Sequence, residues 1–455
     1  MRDELGLPAT FPDEVTAAAE AAAARGSGGN DRRDATDLRL VTIDPPGSMD
    51  LDQAMHLARQ PGSGYRVSYA IADLAAFISA GDPVDTEARH RGETYYSPDL
   101  RTPLHPPALS EGAASLLEGQ DTPALLWTID LDADGATTSV HLERALVRSV
   151  GRLDYPSVQT AFDAGSPPDP VEPLADIGRL RLARARDRKA IELGMPEQDV
   201  VQAADGSWTI DFRASAPVET WNAQISLLTG IAAARLMLDA NIGLLRTLPP
   251  PDPRTVEHLQ RAATPLGIDW PEGLDPGGVL ATLDPSQPRH AAFLDLAAEM
   301  LRGAGYQAFD GSPPAQPDHS GIGGPYAHVT APIRRLADRY ANEVCVSVAN
   351  GTAVPDWARQ ALPLLPQIMA GADSLAHKLE RRCVDRTEAW LLADRVGEVF
   401  DAAVVDVDDK GGNVVLDDPA VRARCGGAHL PLGERIAVRL TQADLATATV
   451  RFEPA

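Results

Sequence analysis

Thr42-Ile43-Asp44-Pro45-Pro46-Gly47-Ser48-Met49-Asp50-Leu51-Asp52-Gln53 is the most informative stretch of the chain. The run 38–43 ahead of it reads as a strand and delivers Asp44 at its end. Pro-Pro-Gly then turns the backbone, and Asp50 and Asp52 return two residues apart, on one side if that return is extended. Three carboxylates at one strand end repel each other unless a hard cation neutralises them, and oxygen-only ligation suits Mg²⁺ or Mn²⁺. On spacing alone a solvated acidic loop is the commoner outcome, so the rest of the chain decides the matter.

Working outward, a second strand is expected at 65–71, and 124–150 reads as paired strands around Asp132-Ala133-Asp134-Gly135. Residues 174–193, 218–242 and 289–303 have apolar spacing nearer a helical period. Ile333, Leu336, Ala337, Tyr340 and Val344 recur at steps of three and four, which predicts a long helix from Pro332. Another helix is expected over about 370–394. After Gly397, short strands broken by Asp408-Asp409-Lys410-Gly411-Gly412 and Cys425-Gly426-Gly427 predict a small OB-like β-barrel. Upstream, residues 13–25 form an Ala- and Glu-rich helix closed by the linker Gly26-Ser27-Gly28-Gly29-Asn30. The expected class is α+β, with an N-terminal extension at 1–39, a catalytic domain at 40–395 and the barrel at 396–455.

Among 455 residues, 65 acids against 41 bases give a net charge of −24, which excludes a protein that coats nucleic acid with its whole surface. Any phosphate contact must run through a local basic channel. Lys189, Lys378 and Lys410 are the only lysines. Cys345, Cys383 and Cys425 lie far apart with no CxxC, so neither a disulfide framework nor a zinc ribbon is supported, and a reducing compartment fits. No basic-then-apolar N-terminal region and no run of about 18 uninterrupted apolar residues occurs, which predicts a cytoplasmic protein without a membrane partner.

The pattern Thr42-Ile43-Asp44, five residues, Asp50-Leu51-Asp52 resembles the metal-binding motif of the RNB family, the ribonuclease II and ribonuclease R exoribonucleases. Further blocks resemble that family in order: Ala70-Ile71-Ala72-Asp73, Gly81-Asp82-Pro83-Val84-Asp85, Glu87-Ala88-Arg89-His90-Arg91-Gly92, Thr94-Tyr95-Tyr96-Ser97-Pro98, Leu109-Ser110 and Ser115-Leu116. Tyr326-Ala327-His328-Val329-Thr330-Ala331-Pro332-Ile333-Arg334-Arg335 resembles a second diagnostic motif, and Leu379-Glu380-Arg381 with Asp385 a third. The resemblance implies an RNB-type catalytic domain followed by the family's last OB-like barrel. It implies a metal-dependent hydrolytic 3′→5′ exoribonuclease that acts on single-stranded RNA and releases 5′-nucleoside monophosphates. Carried over, Asp44, Asp50 and Asp52 hold Mg²⁺ or Mn²⁺ and the attacking water, with Asp52 indispensable. Arg334 reaches the scissile phosphate, Tyr96 stacks on bases near the 3′ end, and Glu380 contacts the terminal nucleotide. Arg335 and Arg339, like charges four residues apart, are second-rank candidates for RNA contact.

Without the resemblance, Arg334 would pair with Asp338 on a helix face, Tyr96 would be a half-buried core tyrosine and Glu380 a solvated acid. The basic run Arg179, Arg181, Arg184, Arg186, Arg188, Lys189 reads as a solvated helix face. Gln53 departs from the family, which commonly has a fourth Asp there. Its amide oxygen can ligate a metal but brings no charge, implying a weaker site, a higher metal requirement and a preference for Mn²⁺. Ala331 replaces a family Ser near the expected N-cap, with Thr330 as the substitute. Trp221-Asn222-Ala223-Gln224 lacks an acid where many relatives carry Glu, and that correspondence stays open. Roughly 40 residues ahead of the catalytic region are too few for the two N-terminal cold-shock-type domains of larger relatives. Residues 396–455 carry ten acids against six bases, so RNA affinity is expected to reside inside the catalytic channel, with a shallow salt dependence. Two other functions compete: a catalytically weak or silent RNB-fold RNA-binding or regulatory protein, and a metal-dependent phosphatase of small nucleotides.

Overall fold

The structure, a computed structural model, describes residues 2–26, 32–202 and 206–455. Most of the expected linker after Gly26 lies outside the described residues.

Strands Arg33–Asp44, Gln53–Arg59, Tyr65–Ala72, Asp121–Leu131 and Thr137–Asp154 form a closed barrel. Consecutive strands pair antiparallel, and the barrel closes through a parallel pairing of the first strand with the last, with Asp44 opposite Asp154. Tyr65–Ala72 is almost continuously buried rather than alternating, because one face fills the barrel and the other lies under helices. Trp127, Tyr69 and Ile71 share one core with Val218, Ile225 and Leu228 of helix Pro217–Ala240 and with Tyr340 and Val344 of helix Leu336–Ala349. Helix Pro217–Ala240 is long and apolar enough to cross a membrane by length and composition, but here its Val218, Ile225 and Leu228 are buried in the core.

Three local expectations are corrected. The strand expected from Leu38 begins at Arg33, inside the segment read as an extension. Helix Asp13–Arg25 forms, yet it is docked: Val15, Ala19 and Ala22 pack with Leu74, Phe77, Ile78 and Val84. The helix expected from Pro332 starts only at Leu336. Arg335 is extended at φ −140° and ψ 120° and bridges antiparallel to Glu93, with the Leu336 N–H given to the Gly92 carbonyl at 3.0 Å, so the helix begins only beyond it. Ala331 and Thr330 therefore cap nothing. The basic run also divides, since Arg181 is buried and donates to the Gly135 carbonyl at 2.9 Å.

Strands Val399–Asp408, Gly411–Val415, Arg422–Gly426, Arg435–Asp444 and Thr449–Pro454 close the second, C-terminal barrel. Its core takes Ala389 and Leu392 from helix Leu365–Leu392, while Leu365 and Met369 at the other end of that helix belong to the main core. One long helix thus ties the two barrels together.

Candidate active site

Asp44 ends the first strand at the barrel rim, and Gly47, with φ +84°, takes the left-handed conformation that the turn needs. The return is irregular because Leu51 is locked. Its side chain is buried, its N–H donates to Ser115 Oγ at 3.0 Å, and its carbonyl accepts the Leu116 N–H at 3.0 Å. Ser115 Oγ also donates to the Met49 carbonyl at 2.6 Å, so the Ser115-Leu116 block acts as a clamp on the aspartate loop.

Held this way, Asp50 and Asp52 diverge. Asp50 is ion-paired with Arg101, whose other nitrogen reaches Glu111, and it accepts a long 3.4 Å hydrogen bond from the Tyr96 hydroxyl. Asp52 is buried; Oδ1 accepts the Ile333 N–H at 2.6 Å, while Oδ2 has no hydrogen bond and lies 3.4 Å from Arg334 Nε. Burial pushes the Asp52 carboxyl up to about 8 against the opposing Arg334 charge and the Ile333 N–H. Burial likewise pushes Asp44 up to about 6, with Arg334 opposing and the Asp50 charge adding. Both carboxyls therefore hold their protons to higher pH than an exposed aspartate does.

Among the described residues, no three His, Cys, Asp or Glu side chains close on one point, so the three carboxylates that the resemblance implies as ligands are not gathered together. Arg101 draws Asp50 aside. The remaining donors still suit a hard cation, because Asp52 presents a buried oxygen without a hydrogen bond and Asp44 a second carboxylate of raised proton affinity. Asn222 adds a buried Oδ1 without a hydrogen bond, while its Nδ2 donates to the Tyr155 hydroxyl at 3.0 Å.

Residues 32–349 match the RNB domain, and residues 398–455 match the RNase II-type exonuclease C-terminal S1 domain. The chain belongs to the RNB family. Ribonuclease R of Thermotoga maritima is 24% identical over 444 residues, covering 92% of this chain and 62% of that protein. The chain therefore spans less than two thirds of that relative. Mycoplasma genitalium RNase R in complex with ribose-methylated single-stranded RNA superposes with a TM-score of 0.88 at 20% identity, over 100% of this chain and 77% of that one. Yeast Ssd1, a pseudonuclease, superposes with a TM-score of 0.74 at 18% identity, over 90% of this chain and 53% of that one. These likenesses show the fold: an RNB domain followed by an S1-type barrel of the OB class.

Within this RNB domain, Gln53 is not arranged as a ligand. Its Oε1 accepts the Tyr69 hydroxyl at 2.8 Å, and its Nε2 donates to the Thr330 carbonyl at 2.6 Å, so the amide bolts the barrel to the loop that carries Arg334. Tyr69 is held in turn by Ser226 Oγ at 2.8 Å. A carboxylate cannot donate to Thr330. Gln53→Asp is therefore expected to lower stability by about 1–3 kcal/mol, read from urea unfolding, because it sets a charge against a carbonyl. An unchanged urea midpoint would show that the bolt carries no load.

Tyr96 is not a core residue, for its ring is 52% exposed beside Asp50 while neighbouring Tyr95 is buried. Arg334 is also available: its side chain is 45% exposed, and its backbone is fixed by the Thr94 N–H, which donates to its carbonyl at 2.9 Å. Arg335 and Arg339 are not. Arg335 forks onto Asp338 at 2.5 and 2.8 Å, and buried Arg339 binds Asp85 at 2.5 Å, so the anions beside these like charges are the protein's own. Glu380 is exposed on helix Leu365–Leu392 and lines a cleft of about 940 Å³ with Asp295, Glu388 and Arg422. No contact joins it to the aspartates. Arg101, Ser115 and the Ile333 N–H are the parts of the site that sequence reasoning missed, although Ser115 stood inside a block already noted.

Proposed function

We propose that this chain is a metal-dependent exoribonuclease that hydrolyses single-stranded RNA from its 3′ end and releases 5′-nucleoside monophosphates. One observation carries the reading: buried Asp52, with one oxygen free of hydrogen bonds, faces the half-exposed guanidinium of Arg334 at 3.4 Å. A bound divalent cation would supply neutralisation of phosphate charge and a more acidic water, and Asp44 and Asp52 are the residues to hold it. Arg334 offers two parallel N–H donors to the non-bridging oxygens of a phosphodiester, and its fixed backbone keeps that fork in place. Asp50 stays beside the exposed Tyr96 and is neutralised by Arg101, which keeps its charge from repelling the incoming backbone. Tyr96 supplies an aromatic face to any base, which suits an enzyme indifferent to sequence.

The test is product analysis on one oligoribonucleotide labelled at either end. The 3′ label should leave at once as a mononucleotide, and the 5′ label should shorten as a ladder. Internal fragments from the start would contradict an exonuclease. Tyr96→Ala should lose about 1–3 kcal/mol of stacking and leave longer end products, since the shortest oligomers depend most on that ring. Unaltered product lengths would remove Tyr96 from the RNA path.

A second reading has its own observation. Arg101 occupies Asp50 and Gln53 replaces a charged residue, so a chain that binds RNA without cutting it is the alternative. It requires bound but intact RNA even in Mn²⁺.

A further inference from the structure

Helix Leu365–Leu392 carries Lys378, Arg382, Arg386 and Trp390 at successive four-residue steps, and all four are exposed. At 1.5 Å per residue the stripe is about 18 Å long. Its charge is only partly compensated. Neither Lys378 nor Arg386 has an acid three or four residues away on the helix, and neither makes an ion pair among the described residues. Arg382 has only a 3.4 Å contact to Glu4, with both side chains well exposed. Like charges at this spacing cost a few tenths of a kcal/mol per pair when nothing anionic covers them, in a chain whose net charge is −24. The same helix lines the cleft against the C-terminal barrel with Glu380, Arg381, Asp385 and Glu388.

The far end of the stripe is aromatic, with Trp390 49% exposed. At the near end, Leu379 and Cys383, each one residue beyond a stripe cation, pack against Tyr95, the neighbour of Tyr96. The stripe therefore leads along the helix to the strand that bears the candidate stacking ring.

We propose that this face is an outer track for single-stranded RNA, which binds phosphates through Lys378, Arg382 and Arg386, stacks a base on Trp390 and leads the strand toward Tyr96. The proposal rests on the exoribonuclease reading above. A cation row with one flat aromatic suits a flexible polyanion with bases, since phosphate supplies the charge and every base has a π face. An acidic peptide would satisfy the cations but leave Trp390 unused.

The test compares a 6-nucleotide with a 24-nucleotide RNA, bound in EDTA by the wild-type chain, by Lys378→Ala/Arg386→Ala and by Trp390→Leu, across a salt series. The wild type should bind the long RNA at least about tenfold more tightly. The double variant should lose most of that advantage, and its salt slope on the long RNA should fall by about 1.4, at 0.7 per released phosphate. Trp390→Leu should weaken the long RNA alone and keep the slope. All three proteins should bind the short RNA equally and melt together, since the replaced side chains are exposed. Equal long-RNA binding and equal slopes in all three proteins would overturn the track while leaving the function intact. Failure of the wild type to bind either RNA would overturn the functional reading, and the track with it.

Discussion

Asp52→Asn is expected to lower hydrolysis by about three orders of magnitude or more while single-stranded RNA still binds. Asp52 is the buried carboxylate whose Oδ2 lacks a hydrogen bond and whose Oδ1 is fixed by the Ile333 N–H. Asparagine keeps the shape and removes the charge that a cation needs, and with it a charge that repels phosphate. The substitution also has a stability signature in EDTA. The Asp52 carboxyl is raised from 3.8 to about 8 by burial. A folded-state value above the unfolded one means that the native chain binds the extra proton, so stability falls as pH rises from about 4 to about 8. Asn carries no such loss. The melting temperature of the variant relative to wild type should climb between pH 5 and pH 8, and parallel pH curves would show that Asp52 titrates normally.

Arg334→Met should cost about two to three orders of magnitude in turnover, the usual effect of deleting one preorganised donor to a developing oxyanion. It has a second effect by a different route. Arg334 is the main group opposing the rise in proton affinity at both Asp44 and Asp52. Its removal should move the acid limb of the pH–rate profile to higher pH. Arg334→Lys keeps charge but loses the planar fork, so it should restore part of the pH limb and little of the rate. A rate loss with an unmoved acid limb would mean that Arg334 acts on phosphate alone.

The aspartate motif was legible because it is local: one strand, one turn and three acids within nine residues of sequence, 44–52. The C-terminal barrel was legible through its short strands and Gly-rich breaks. The closure of the first barrel was not, since it runs through a parallel pairing of Arg33–Asp44 with Thr137–Asp154, and of its strands Gln53–Arg59 went unread although 65–71 and 124–150 were expected. Periodicity over 333–344 misplaced the start of a helix because it counts side chains, whereas Arg335 is held extended by a bridge to distant Glu93. The same blindness to distance hid the Arg101 contact to Asp50, and it hid the bolt from Gln53 to Thr330 across 277 residues. In sequence, Gln53 looked like a weakened ligand; in the fold it is a strut. The contiguous cations of 179–189 drew the eye, although Arg181 there is structural, while the four-residue spacing of Lys378, Arg382 and Arg386 was less visible.

The central claim is that Asp44 and Asp52 form a working metal-dependent hydrolytic site although Asp50 is held by Arg101 and Gln53 is neutral. Single-turnover digestion of a labelled single-stranded oligoribonucleotide by excess wild-type protein tests it most directly, run in EDTA and again after Mn²⁺ or Mg²⁺ is restored, with Asp52→Asn beside it. The account predicts no cleavage in EDTA, rapid release of 5′-monophosphates once the cation is added, and none from the variant. RNA that stays bound and intact at saturating Mn²⁺, or cleavage that survives in EDTA or in Asp52→Asn, would contradict it.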